Sequence, residues 1–220
     1  MSRPDLVIFD CDGVLIDSEG LANRVVAQEV TRLGWAMTAE EAHRQFLGQN
    51  LSDMCPAIAE AIGRPVPQGW VRDLAAALVV AMEAEVQAMP GAHALLGGME
   101  LLGLDWRVAS NSGPDELAAK FRRTGLDRIA QGRVHSAAEV ISRGGRGKPA
   151  PDLFLAVAQT AGAAPEACLV IEDSVTGITA ARAAGMACWR FAPEAGPGHQ
   201  PVFRSLPEVA AALAEWTGGQ

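Results

Sequence analysis

Two hydrophobic rhythms divide this chain. Leu6 to Phe9 is an unbroken apolar run that stops at Asp10-Cys11-Asp12-Gly13. A short run of that kind, closed by a turn, reads as a strand buried on both faces. From Asp17-Ser18-Glu19 the spacing becomes helical, with Ala22, Val25, Val26, Val30 and Leu33 on one face and Gly34 at the exit. Thr38 to Phe46 reads as a second helix, with Thr38 and Glu41 at capping-box spacing. Ser52 is placed to cap a third, with Pro56 early in it and Gly63 at its end. Gly69 to Met89 reads as a long fourth helix, with Trp70, Leu74, Leu78, Met82 and Val86 along one stripe. No strand is expected in this block.

After Pro90 the rhythm alternates. Helices are expected over 92–103, 114–124, 152–161, 175–184 and 207–216, and short apolar strands over 106–109, 168–171 and 187–191. Proline at 114 and the acids after it suit a helix start, and Gly125 and Gly185 suit helix ends. Strands alternating with helices predict an α/β protein built on a doubly wound parallel sheet. The first strand belongs to that sheet. The organisation expected is therefore a core domain of residues 1–17 plus 89–220, interrupted by an α-helical cap over 18–88.

Composition narrows the partners. The 220 residues carry 18 basic and 26 acidic side chains, a formal net charge of −8. That balance argues against nucleic acid or an anionic membrane as partner, and an anionic substrate would need a local positive centre. The 49% hydrophobic content excludes a disordered chain, and no apolar run is long enough to span a bilayer. Cys11, Cys55, Cys168 and Cys188 form no CxxC pair, and three of them lie in apolar runs. They read as reduced thiols of a cytoplasmic protein, and the N-terminus lacks the apolar stretch of a signal peptide.

Chemistry enters at the strand ends, where open α/β sheets bind ligands. Asp10 and Asp12 follow the first strand, Ser110 and Asn111 the 106–109 strand, and Glu172 and Asp173 the 168–171 strand, while Lys148 lies in a loop. Singly, each is explained at least as well by a turn, a surface position or a helix cap. Together, in this order, they form a pattern. Clustered carboxylates repel unless a cation or shared proton compensates, and a hard divalent ion such as Mg²⁺ suits oxygen ligands and phosphate.

The segments FDCDGVLIDSE, VASNS, KPAPDLF and VIEDSVTGITAARAAG resemble the four motifs of the haloacid-dehalogenase superfamily. The resemblance covers most of the chain and implies a Rossmann-like core with a small helical cap, in the subgroup of sugar-phosphate phosphatases and β-phosphoglucomutases. It implies that Asp10 is the nucleophile forming an aspartyl-phosphate and that Asp12 is the general acid and base, lending its backbone carbonyl to the metal. Asp173 and Glu172 would complete the Mg²⁺ site with Asp10. Ser110 and the Asn111 amide would hold phosphoryl oxygens, and Lys148 would neutralise charge on the phosphoryl group and on Asp10. Glu19, Asn23, Gln49 and Asn50 are cap candidates for substrate contact.

Four rival readings follow from the same motifs. A dehalogenase lacks the second aspartate. A phosphonatase needs a cap lysine, which 18–88 does not contain. A phosphosugar mutase carries a histidine about a dozen residues past the nucleophile, whereas Gly20 to Asn23 has none and His43 and His93 read as surface or packing residues. A receiver-like phospho-aspartate domain, the non-enzymatic alternative, has no use for a cap or for Asp12. The expectation is a Mg²⁺-dependent phosphatase for a small phosphorylated sugar or sugar acid, of 6-phosphogluconate type, acting as a monomer. The mutase is the alternative.

Overall fold

The computed structural model describes residues 3–193 and 202–216. Its centre is strand β1, Leu6–Phe9, with all four residues buried. Neighbours β4 (Asp105–Ser110) and β6 (Cys168–Glu172) pair with it in parallel on either side. Strand β5 (Val134–Ser136) adds beyond β4, and β7 (Ala187–Phe191) and β8 (Val202–Phe203) add beyond β6, giving the order β5-β4-β1-β6-β7-β8. Every neighbouring pair is parallel. The chain therefore grows outward to one side of β1, then returns and grows to the other, which is a doubly wound α/β sheet.

Alternation along β1 explains why a short run can anchor two cores. Val7 and Phe9 join a larger cluster with Leu95 and Leu96 of α5 (Ala92–Gly98), Phe121 of α6 (Pro114–Thr124) and Leu213 of α10 (Leu206–Glu215). Leu6 and Ile8 face a second cluster with Phe154 and Val157 of α8 (Asp152–Ala161) and Ala180 and Ala181 of α9 (Val175–Ala183). Each buried large side chain contributes about 1.5–3 kcal/mol.

Between β1 and β4 the chain leaves and re-enters through a two-stranded antiparallel ribbon, β2 (Ile16–Asp17) with β3 (Gln87–Ala88). Helices α1 (Glu19–Leu33), α2 (Ala39–Phe46), α3 (Cys55–Ile62) and α4 (Trp70–Glu85) lie between those strands. Their inner faces, including Val26, Val30, Phe46, Leu74 and Leu78, continue the larger core. Helix α4 packs on α6, and Arg122 pairs with Glu83 at 2.7 Å across that contact. The capping box at Thr38 and Glu41 forms as its spacing predicts.

Several expectations needed correction. The fourth helix stops at Glu85 and not Met89, because Val86 turns extended and the next two residues pair with β2. Strands of two residues are too short to produce an alternation, so the ribbon was invisible in the hydrophobic pattern. Ser52 caps nothing: it lies inside a 3₁₀ turn, Leu51–Met54, and Met54 precedes α3. The helix expected over 92–103 ends at Gly98, beyond which turns lead to Gly103. Strands β5 and β8 and helix α7 (Ala137–Ile141) are short elements that periodicity did not predict. No helix among the described residues is long and apolar enough to cross a membrane, and the four cysteines are free thiols.

Candidate active site

The carboxyl ends of β1, β4 and β6 are adjacent in the sheet, and three groups of sequence-predicted residues meet there. Asp10 follows β1 directly, its amide donating to the Ile171 carbonyl at 2.9 Å and so extending the ladder to β6 by one bond. Ser110 is the last residue of β4 and Glu172 the last of β6. Carboxylate oxygens of Asp10, Glu172 and Asp173 all lie within 4.8 Å of one another. Residues 162 positions apart in the chain thus share one cluster because parallel pairing aligns strand ends.

Two glycines make room for it. Gly13 sits at φ +78°, which disfavours any Cβ, and a Cβ there would also fall inside the Asp173 carboxylate. Gly177, in the first turn of α9, lets the Glu172 carboxylate fold against the helix; a Cβ there would collide with it. Ser174 caps α9 by accepting from the Gly177 amide at 2.9 Å and donates its hydroxyl to Glu172 at 3.2 Å.

Lys148 is the only positive side chain in contact with this cluster among the described residues. Its Nζ donates to Asp10 Oδ1 at 2.5 Å, to the Ala109 carbonyl at 2.9 Å and to Glu172 Oε1 at 3.3 Å. It lies 4.7 Å above the Phe154 ring. The Asn111 side chain holds the lysine's own backbone, accepting from the Lys148 amide at 2.9 Å and donating to its carbonyl at 3.0 Å. Three carboxylates against one ammonium leave negative charge uncompensated. The electrostatics record it. Burial and then the charge of Asp10 push Glu172 up to about 8, with Lys148 opposing. Burial and the Asp10 charge push Asp173 up to about 7. Asp10 is also raised, by burial foremost, although Lys148 pulls the other way. Lys148 is raised because Asp10 and Glu172 outweigh the cost of its burial. Oxygen donors only, close together and short of positive charge, fit a hard divalent cation.

Asp12 stands apart from that cluster. Its Oδ1 accepts from Lys120 Nζ and from the Ser18 hydroxyl, each at 2.5 Å. Its Oδ2 accepts from the hydroxyls of Ser110 at 3.1 Å and Ser112 at 3.0 Å. Burial raises the carboxyl, but the charge and hydrogen bond of Lys120, with the serines, more than offset it and hold Asp12 below the usual carboxylate range. Lys120 pairs in turn with Glu116 at 2.5 Å.

Ser18, Ser112, Glu116 and Lys120 were not singled out from the sequence. A signal existed for Lys120: it shares the inner face of α6 with Leu117 and Phe121, all buried. Its i,i+4 spacing from Glu116 is equally that of an exposed ion pair on the solvent face, so spacing alone does not reveal the inward position.

The cap candidates are placed less decisively. Glu19 Oε1 lies 3.0 Å from His43 Nδ1, and the Asn23 amide 3.3 Å from the same nitrogen. His43 is a surface residue, as one of its two expected readings had it, and it partners both candidates. Glu19 opens α1 directly after Ser18, whose hydroxyl donates to Asp12, and its charge adds to the rise of Asp173 behind burial and Asp10. Gln49 and Asn50 make local bonds instead, to the Gln45 carbonyl and to Asp53, both at 3.2 Å. Their loop nonetheless approaches α9, since a Cβ on Gly48 would lie 3.2 Å from the Thr176 hydroxyl.

Comparison with known proteins agrees with this geometry. The family model for haloacid dehalogenase-like hydrolases matches residues 4–185. Hexitol phosphatase A of Escherichia coli (strain K12) is 31% identical, over 96% of this chain and 92% of that one. The 6-phosphogluconate phosphatase of the same organism is 26% identical, over 92% and 88%. One relative from Arabidopsis thaliana is far longer: the chain spans 17% of its length at 30% identity. Among solved structures, a HAD family hydrolase from Deinococcus radiodurans R1 with bound phosphate and sodium superposes with a TM-score of 0.77. It is 33% identical and covers 98% of this chain and 97% of its own.

Proposed function

The chain belongs to the haloacid dehalogenase-like hydrolases, and from that premise we propose a magnesium-dependent phosphatase of small phosphorylated sugars or sugar acids. That it is a hydrolase of phosphorylated substrates rests on the family and on its phosphatase relatives; this removes the non-enzymatic receiver-like reading. The observation that carries the finer reading is the pairing of opposites at the end of β1. Asp10 lies in an acidic cluster that wants a cation, and Asp12, two residues on, lies in a network of donors.

Asp10 is the nucleophile of this proposal. Its carboxylate oxygen forms a bond to phosphorus as the bond to the sugar oxygen breaks, which splits one hard displacement into two. Asp12 accepts from Lys120 and three hydroxyls in the free site, so it takes up a proton as the phosphorylated substrate binds and gives that proton to the departing oxygen. In the second step it takes a proton from the water that attacks phosphorus and frees Asp10. Lys148 balances charge on Asp10 and on the transferring group, and Ser110 and the Asn111 amide hold phosphoryl oxygens. Asp10, Glu172 and Asp173 would hold the magnesium ion with the Asp12 backbone carbonyl; the Asp12 side chain is engaged elsewhere. When bound, the ion supplies charge compensation for the phosphoryl group.

Residues 18–88 act here as a cap hinged at the β2–β3 ribbon. Glu19 is its best-placed candidate for contact with the sugar, with Gln49 and Asn50 on the loop near α9. The 6-phosphogluconate phosphatase relative supports a sugar-acid substrate.

A second reading, a β-phosphoglucomutase-like mutase, draws on His43, which reaches from α2 the region where a mutase histidine would be expected from α1. One experiment separates the two. A panel of sugar phosphates is incubated with Mg²⁺, then with EDTA, and both released phosphate and isomerised sugar phosphate are measured. The phosphatase reading expects phosphate release that EDTA abolishes. Isomer without phosphate establishes the mutase, and release indifferent to EDTA removes the metal assignment.

A further inference from the structure

Of the buried charged side chains among the described residues, Asp10, Lys148 and Glu172 have roles above; Lys120 has none. It sits in the middle of α6 with 1% of its side chain exposed. Burying an ammonium is costly unless it is fully paired, and an inward position on an amphipathic helix is better filled by leucine. An ion pair with Glu116 alone does not explain it, because such a pair forms equally well on the solvent face. What the inward position adds is reach across to another element, where Nζ meets Asp12 Oδ1 at 2.5 Å and Ser112 Oγ at 2.9 Å.

The Asp12 carboxylate is thereby stitched to four places: the end of β4 through Ser110, the start of α6 through Ser112, the body of α6 through Lys120, and the entry to the helical segment through Ser18. Three of these donors are hydroxyls, which also accept and which rotate freely. Lys120 alone brings a fixed positive charge, and its ammonium is anchored by two further acceptors, Glu116 and Ser112. A carboxylate on a loop needs such an anchor to present one oxygen repeatedly in the same direction.

We propose that Lys120 is a positioning residue for Asp12, holding its carboxylate in the orientation from which it exchanges a proton with the leaving oxygen and with water. The proposal rests on the acid–base reading of Asp12. It does not follow from the acidic cluster or from Lys148.

The test compares two esters of similar size, phenyl phosphate and p-nitrophenyl phosphate, with Mg²⁺ present. Phenolate leaves poorly without a proton, and p-nitrophenolate leaves readily. For Lys120→Met we expect kcat/KM to fall about 100-fold on phenyl phosphate, and at least about tenfold less steeply on p-nitrophenyl phosphate, the range expected of a misaimed general acid. Inhibition by inorganic phosphate should not change, because Lys120 does not hold the phosphoryl group. Lys120→Arg should recover part of the loss. The double variant Lys120→Met/Glu116→Gln removes the carboxylate that the single change would strand. It should fold, by thermal melting, and keep the leaving-group dependence; if the single variant does not fold, the double variant decides. Equal losses on the two esters, or a double variant as active as wild type on phenyl phosphate, would overturn the proposal. Asp12→Asn is the control: if it shows no leaving-group dependence, the acid–base reading of Asp12 has failed instead.

Discussion

Asp10 and Asp12 are two residues apart, yet they sit in opposite electrostatic surroundings. Asp10 shares its space with Glu172 and Asp173 and has one lysine for compensation. Asp12 faces a lysine and three hydroxyls, and its 34% exposure does not leave it without partners. Burial acts on both in the same direction, so burial alone cannot separate them. The neighbours do. At Asp10 burial outweighs the pull of Lys148, and the Asp12 charge adds to the rise; at Asp12 the charge of Lys120 and the hydrogen bonds outweigh burial and hold it below its usual range. The contrast suits a site that must gather a cation on one side and move protons on the other. It arises because Asp10 meets residues at the end of β6, while Asp12 meets the end of β4 and the body of α6.

Substitution of each aspartate is the strongest way to break that contrast. Asp10→Asn should abolish turnover and leave no acid-stable phosphoenzyme after a quench from radiolabelled p-nitrophenyl phosphate. Asp12→Asn should reduce kcat by about 10²–10⁴, the range of a general acid–base group, while phosphoenzyme still accumulates. If the two variants trap equal amounts of label, the division of roles is wrong.

A smaller effect separates the two neighbourhoods by pH. Glu172 and Asp173 bind protons more tightly in the folded chain than in the unfolded one, where a carboxyl titrates near ~4. Stability of the metal-free protein should therefore fall as pH rises from about 4 through about 7 and 8, the folded values of Asp173 and Glu172. Asp12 works in the other direction: its contribution is present above ~4 and is lost on acidification below it. The proposed Mg²⁺ site needs the cluster ionised, so the gain that Mg²⁺ gives should grow with pH. At 100 times its Kd the gain should reach about 2.7 kcal/mol, or about 5–10 °C in Tm for a chain of this size. Thermal melts at pH 5, 6.5 and 8, with and without Mg²⁺, measure it. A melting temperature of the metal-free protein that rises steadily to pH 8 would contradict the strained acidic cluster.

The smallest expected effects compare a position inside the acidic neighbourhood with one outside both. Gly177→Ala should displace the Glu172 carboxylate and weaken Mg²⁺ binding about 10–100-fold, as loss of a supporting group around a metal does. Arg122→Ala removes an exposed pair with Glu83 and should cost no more than about 1 kcal/mol, with Mg²⁺ affinity unchanged. Calorimetric titration of both variants with Mg²⁺ is the check.

Much of this was legible in the chain itself. Strand β7 and helices α6 and α8 run over the residues their periodicity predicted, and the parallel sheet followed from the alternation of strands and helices. The residues at strand ends were identifiable because such sheets bring those ends together whatever lies between. The two-residue ribbon and the three-residue β5 escaped, since a period needs several repeats to be seen.

Local pattern determined which segments became helices and strands, and through them which side chains stood at the mouth of the sheet. Tertiary structure alone decided which carboxylate met which cation. Lys120 and Asp12 lie 108 positions apart, and Lys148 and Asp10 138 apart. Nothing in their spacing marks these pairs, whereas Glu116 and Lys120, four apart on one helix, form a pair that spacing alone suggests. Charge interactions depend on distance in space and on the water excluded between partners, and both are set only when the helices have packed against the sheet.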